Sequence, residues 1–219
     1  MNQLLIVAAT IAEIEPFFKH LQIDEINIGE VHQISFQNNR IHILITGVGM
    51  VNTAFALGKI SSMQFNFAIN AGIAGAFNKE INLGEVVLVK EDELSEMGAE
   101  DGEDFIKYEE MKLVGSSTFY SSTAIDMNLL MGMKRVKSIT VNKVHGEDLS
   151  IAKTIRLFNP DIESMEGAAF FACTKFNCEK VVQLRAISNY VERRDKSKWQ
   201  IKLAINNLNT QLINLIHTL

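Results

Sequence analysis

The sequence predicts an α/β domain whose sheet is covered on both faces. Two patterns carry this. Near-continuous apolar runs of strand length, at 4–9, 65–70 and 181–187 among others, alternate with stretches of helical period. Several of those runs end in small or turn-forming residues, which is where open α/β sheets place their ligands. No repeat or interdomain linker breaks the 219 residues, so 1–219 reads as one domain.

In chain order, 4–9 reads as a central strand. Residues 11–21 follow with Ile11, Ile14, Phe17, Phe18 and Leu21 at helical spacing. Pro16 inside that pattern predicts an irregular first turn or a later start. Residues 31–36 and 40–46 form a hairpin around Gln37-Asn38-Asn39. Gly47-Val48-Gly49-Met50 makes a tight turn into a helix over 51–63. The strand at 65–70 ends in Ala71-Gly72-Ile73-Ala74-Gly75-Ala76, whose glycines let backbone pass close to a ligand or a neighbouring strand. A strand at 85–90 comes next. Ten of the 26 acidic residues then fall between Glu91 and Glu110, predicting a solvated, mobile surface loop long enough to serve as a lid. A helix at 124–131, a strand at 136–141 and a helix at 149–158 follow, with His145-Gly146-Glu147-Asp148 as the loop before the last. The strand at 162–164 runs into an alanine-rich helix at 167–172. The strand at 181–187 is closed by Ser188-Asn189 and a polar loop over 190–196. Ile201, Ile205, Leu208, Leu212 and Leu215 mark a long terminal helix.

Composition narrows the function. Hydrophobic residues at 47% and charged residues at 21% suit a globular protein with a substantial core. The net charge is −5 and the basic residues form no long cluster, which argues against a nucleic-acid partner. No apolar run approaches the ~18 residues that cross a bilayer, so no membrane partner is expected. The chain enters its first strand without a basic leader, with Glu13 and Glu15 close behind, which predicts a cytoplasmic protein. Cys173 and Cys178 are too few and wrongly spaced for a zinc site or a disulfide framework, and are expected to pack as small apolar groups in one helix.

Five segments would converge at the carboxyl ends of the strands: Thr10 with Glu13, Gly47-Val48-Gly49, Ala71-Gly72-Ile73, Met165-Glu166 and Ser188-Asn189. Glu166 stands at the mouth of a buried helix, where an unpaired charge costs several kcal/mol or more. Facing the helix N-terminus would relieve that cost and leave the carboxylate free to accept from vicinal hydroxyls such as a ribose cis-diol. On spacing alone, Glu163 and Glu166 read first as ordinary first-turn acids complementing the helix dipole. Likewise Glu13 alone is a surface helix acid, Asn189 a turn residue, and Ile73 and Leu149 core residues. Gly47 and Gly49 would suit a phosphate cradle, yet the Lys and Ser/Thr of a P-loop are missing.

As an ordered set, the downstream Glu13, Gly47-Val48-Gly49, the run from Ile69 to Gly75, Ser164-Met165-Glu166 and Arg185-Ala186-Ile187-Ser188-Asn189 resemble the nucleoside phosphorylase/nucleosidase superfamily, in its methylthioadenosine and S-adenosylhomocysteine nucleosidase branch. The resemblance runs almost end to end. It implies a three-layer α/β/α fold around a mixed, partly barrel-like central sheet. It also implies that Glu166 binds the ribose hydroxyls, that Met165 and Ile73 line the sugar or base, that Gly49 and Ser188 belong to the substrate site, that Leu149 contacts the base, and that Glu13 activates the attacking water.

The chain departs from the adenine-specific branch at Asn189, where those enzymes carry an aspartate. A protonated Asp can donate to purine N7 while accepting from a 6-amino group. Against a 6-oxopurine its second oxygen would face oxygen, a mismatch of ~1–3 kcal/mol. Asn189 can donate to O6 and accept from a ring N–H, so the amide points to hypoxanthine. The segments from Ser188 to Trp199, Val144-His145-Gly146-Glu147-Asp148 and Glu166-Gly167-Ala168-Ala169-Phe170-Phe171 are similar to the futalosine-hydrolysing branch, which releases hypoxanthine in the menaquinone route. That substrate carries a benzoate on its ribose side, implying a cation such as His145, Arg193 or Arg194. A phosphorylase would need an arginine-built phosphate pocket. Only six arginines exist and none lies in the glycine segments, which favours hydrolysis. A nucleoside-binding sensor would lack Glu13 or Glu166, and both are present. No metal or organic cofactor is implied, and the family habit is a homo-oligomer of two or more subunits.

Overall fold

The computed structural model describes residues 2–122, 130 and 132–219. The helix expected over 124–131 lies, apart from Leu130, outside the described residues. Strand β1 (Asn2–Ala8) is flanked by β3 (Asn39–Ile45) and β4 (Phe65–Ala76), both parallel to it. Alternation along β1 divides the core. Leu4, Ile6 and Ala8 face one side, with Phe17 and Phe18 of α1 (Ile11–Leu21) and Leu208 and Leu212 of α5 (Ile201–Thr218). Leu5 and Val7 face the other, with Ala56 and Leu57 of α2 (Met50–Lys59) and Phe170 and Phe171 of α4 (Gly167–Thr174). The result is three layers, α/β/α, because a central strand apolar on both faces must be covered on both.

The sheet is mixed. β2 (Val31–Phe36) pairs antiparallel with β3 as the outer hairpin. On the other side of β4 come β11 (Cys178–Tyr190), β5 (Val86–Leu94), β9 (Arg135–Thr140) and β10 (Ile162–Ser164), with the short β8 (Thr118–Tyr120) antiparallel to β5. β10 lies parallel to β9 and also antiparallel to the end of β4, through Ile162 opposite Ala76 and Glu163 opposite Gly75. Strands β4, β11, β5, β9 and β10 thereby close on themselves, which is the barrel-like part. The remaining helix, α3 (Asp148–Phe158), follows β9.

Three local expectations are corrected. The segment 71–76 is the second half of β4, not its exit, because its backbone pairs with β11 from Leu184 to Tyr190 and its glycines admit side chains from that neighbour. The acidic stretch is regular structure rather than a loop, although Glu96, Glu100, Asp101, Glu103, Asp104, Glu109 and Glu110 are exposed as expected. β5 runs on to Leu94, and β6 (Gly98–Asp101) and β7 (Asp104–Lys107) form a hairpin, followed by a 3-10 turn at Tyr108–Met111. Lys137 Nζ lies 3.1 Å from Glu91 and 3.3 Å from Glu93, while the fully buried Asp92 accepts hydrogen bonds from Thr140 and Gln183. Finally, Cys173 is in α4 but Cys178 opens β11, so the two do not share a helix.

Candidate active site

Thr10 caps α1, and the chain forms a capping box there: Glu13 N–H donates to Thr10 Oγ1, and Glu13 Oε2 accepts from Thr10 N–H and from Thr10 Oγ1, each at 3.0 Å. Ile14, two residues before Pro16, leaves helical geometry, so the first turn is irregular. Glu13 is therefore no surface acid; it is 8% exposed. Its Oε1 accepts from Ile73 N–H at 3.1 Å, which leaves one acceptor position on that oxygen. Burial raises its pKa above the ordinary carboxylate value, with the nearby Arg185 charge as the main opposing influence.

The expectation that Glu166 leans on its own helix is corrected. Its side chain makes no capping bond to α4; instead Oε1 accepts from Gly49 N–H at 2.9 Å and Oε2 from Met165 N–H at 3.3 Å. Gly49 has φ +95, a conformation that favours glycine, and this turns its N–H toward the carboxylate. With two of about four lone-pair sites used, Glu166 keeps acceptor capacity for hydroxyl groups.

Asn189 and Ser188 lie within β11, where the register to β4 slips between Ile187 and Asn189. Ser188 is the extra residue of this bulge, and such a bulge re-aims side chains. Ser188 Oγ lies 3.2 Å from Ala74 O and 2.8 Å from Asn189 Oδ1. Asn189 Nδ2 donates to Tyr190 O at 3.0 Å, which fixes the amide, since that carbonyl can only accept. One N–H and one lone pair of Asn189 remain.

All five segments meet around one cavity of about 400 Å³. Glu13, Glu166 and Asn189 line it together, with Met165, Ile73, Ser188 and Val48 of the glycine turn. His145 and Arg194 are the basic residues on its wall among those described. His145 is fully engaged: Nδ1 lies 2.5 Å from Glu163 Oε2 and Nε2 lies 2.8 Å from Thr154 Oγ1, while its backbone N–H donates to Glu163 Oε1. Arg194 stacks on Trp199, 4.9 Å from the ring centroid, at the outer wall. Arg193 lines a separate depression with Glu147 and Asp148. Leu149 is not brought to the cavity; at the start of α3 it points outward, 79% exposed. Gly49 contributes through its N–H to Glu166 rather than as a lining residue. No group able to hold a metal ion occurs among the described residues.

Arg185 is the residue to which sequence reasoning gave no role. It is almost fully buried, and it reaches the site because Gly72 has no side chain: a Cβ there would collide with Arg185 Nη1 and come 2.9 Å from Glu13 Oε1. Gly72→Ala should therefore lower stability by about 1–3 kcal/mol, as overpacking does, and reduce turnover of the folded fraction. Thermal unfolding together with kcat checks both; a fully active, equally stable variant would contradict the geometry.

The chain matches the family described as the Phosphorylase superfamily over residues 3–219, and it belongs to that family. It is 32% identical to the futalosine hydrolase of Thermus thermophilus, over 75% of this chain and 76% of that one. Among solved structures, a Helicobacter pylori methylthioadenosine nucleosidase variant with 5'-methylthioadenosine in its active site superposes with a TM-score of 0.86 at 15% identity, covering all of both chains. The futalosine hydrolase of the same organism does so with a TM-score of 0.85 at 14% identity, covering 100% of this chain and 98% of that one. These likenesses bear out the fold expected from the sequence. No helix among the described residues is long and apolar enough to cross a membrane.

Proposed function

We propose that the chain, as one nucleosidase domain over 1–219, hydrolyses the N-glycosidic bond of futalosine, releasing hypoxanthine and dehypoxanthine futalosine for menaquinone synthesis. The observation that carries this is the meeting of Glu13, Glu166 and Asn189 on one cavity in a chain 32% identical to a futalosine hydrolase. Glu166 accepts from the ribose hydroxyls, and Met165 and Ile73 wall the sugar. The bond from C1′ to the base nitrogen breaks with its electron pair going to the purine. Asn189 stabilises that developing charge with its remaining N–H toward O6. Water held at the open position of Glu13 Oε1 adds to C1′ and gives its proton to Glu13, which returns it to solvent, while the departing hypoxanthine anion takes up a proton from solvent. Arg194 on Trp199 is assigned to the carboxylate end of the substrate, since both nitrogens of His145 are already engaged. Leu149 receives no role in this reading.

The reading includes a cytoplasmic homo-oligomer. The association is supported by Val51 and Phe55, one turn apart on α2 and both largely exposed, just beyond the turn that carries Val48 into the cavity.

Incubation with futalosine, inosine and methylthioadenosine, with free base measured in each, tests the substrate. Hypoxanthine from futalosine at the highest rate is expected; adenine release from methylthioadenosine as the dominant activity would overturn the assignment. Asn189→Asp should move base preference toward 6-aminopurine nucleosides by about ten- to a hundredfold, from one mismatched polar contact. Unchanged selectivity would remove Asn189 from base recognition.

A further inference from the structure

Beneath the cavity, buried polar side chains form one continuous run of hydrogen bonds across the closed part of the sheet. Ala168 N–H, in the first turn of α4, donates to Thr140 Oγ1 at 2.8 Å, and Thr140 Oγ1 donates to Asp92 Oδ1 at 2.7 Å. Gln183 Nε2 donates to Asp92 Oδ2 at 3.0 Å, and Arg185 Nε donates to Gln183 Oε1 at 2.9 Å. Arg185 Nη2 then donates to Asn70 Oδ1, and Asn70 Nδ2 to Val7 O at 3.1 Å. All five side chains are at most 1% exposed. The Ala168 end lies in the turn that follows Glu166, and Arg185, toward the other end, lies beside Glu13. Glycines next to site residues make room at both ends. A Cβ at Gly167, which follows Glu166, would collide with Asp92 and Gln183; one at Gly72, which precedes Ile73, would collide with Arg185.

The run has a direction. A guanidinium only donates and an ionised carboxylate only accepts, so an amide between them has one permitted orientation. Gln183 must turn its oxygen to Arg185 and its nitrogen to Asp92. We propose that Asp92 and Gln183 are positioning residues for hydrolysis: the acceptor-only carboxylate fixes the Gln183 amide, and the amide fixes the Arg185 guanidinium beside Glu13. The inference rests on the reading of Glu13 as the water-activating group. With Arg185 held there, its charge favours the ionised Glu13 that a water proton requires; with Arg185 displaced, only the hydrogen bonds from Ile73 and Thr10 are left to oppose the burial of Glu13. Substrate affinity depends on Glu166 and Asn189, which the run does not touch through their side chains.

Three variants test the relay. Gln183→Glu sets two carboxylates facing each other. Asp92→Asn either sets an NH₂ against the NH₂ of Gln183 or leaves the Thr140 hydroxyl proton without an acceptor. The double variant D92N/Q183E moves the carboxylate one position along the run. Its amide at position 92 accepts from Thr140 and donates one N–H to the carboxylate at position 183, which also accepts from Arg185, so Thr140 and Arg185 both regain their acceptors. At about pH 8, with futalosine as substrate, each single variant should lose about tenfold or more in kcat with KM changed less than about threefold, and the double variant should return to within about threefold of wild type. The Arg185 Nε–H resonance, read without substrate, should shift in each single variant and return in the double. Singles that keep full kcat, or a double no better than the singles, would overturn the relay, as would kcat that fails to follow the resonance. Wild type that releases no hypoxanthine from futalosine would count against the proposed function instead, while the resonance would still decide whether Asp92 sets Arg185.

Discussion

Glu13→Gln is expected to lower kcat by about 10²–10⁴-fold while leaving product binding nearly intact, the range that loss of a general base produces. The substitution is nearly isosteric, and glutamine is tolerated at this position of a capping box, so α1 should keep its start. With the amide oxygen kept on Thr10, the NH₂ replaces Oε1, so what disappears is the acceptor that faces the cavity and, with it, the acceptor of Ile73 N–H. The same carboxylate sets the acid limb of the pH profile. Its folded-state pKa is raised by burial, and only the ionised form can take a proton from water. Activity should therefore fall as pH drops through a value above the ordinary glutamate range. The contribution to stability has the opposite sense: a raised folded pKa stabilises below the unfolded value, and that stability is lost as pH rises through the folded one. A pH series of kcat/KM for wild type and variant reads the first effect. Retained turnover in Glu13→Gln would refute the role.

Glu166→Gln is expected to cost about 100-fold in kcat/KM, from the loss of charge-assisted bonds to two sugar hydroxyls at ~1.5–3 kcal/mol each, partly retained by the amide oxygen. Part of that loss is local. Gly49 N–H and Met165 N–H both point at the carboxylate, and the amide oxygen can answer only one of them. A nucleoside lacking the 2′-hydroxyl separates the two contributions: it should be poor for wild type and lose less in the variant than the ribonucleoside does. Equal loss on both substrates would mean that Glu166 holds the Gly47-Val48-Gly49 turn and not the sugar.

Much of this is legible in the sequence because it rests on local rules. Two-faced apolar strands require two helical layers, and the small residues at strand ends mark where the cavity lies. The failures share a cause, which is pairing between strands distant in sequence. Nothing local in Gly72 or Gly75 announces that β11 will pair alongside them, so the second half of β4 reads as a turn. Nothing local in Glu91-Asp92-Glu93 announces that Lys137, Thr140 and Gln183 will meet those acids, so a strand with a fully buried Asp92 reads as solvated. Burial and those hydrogen bonds together leave the Asp92 pKa at about 6. Local pattern does put Glu166 at its helix mouth, but its partner Gly49 comes from 117 positions earlier, which no spacing within its own helix could supply.

The most direct measurement is turnover of futalosine by the purified chain in phosphate-free buffer, with both products identified by mass. Hypoxanthine and the free dehypoxanthine sugar are expected at a rate that added phosphate does not change. Base release that requires phosphate and yields a sugar phosphate would contradict hydrolysis, because the group attacking C1′ would then not be water held by Glu13.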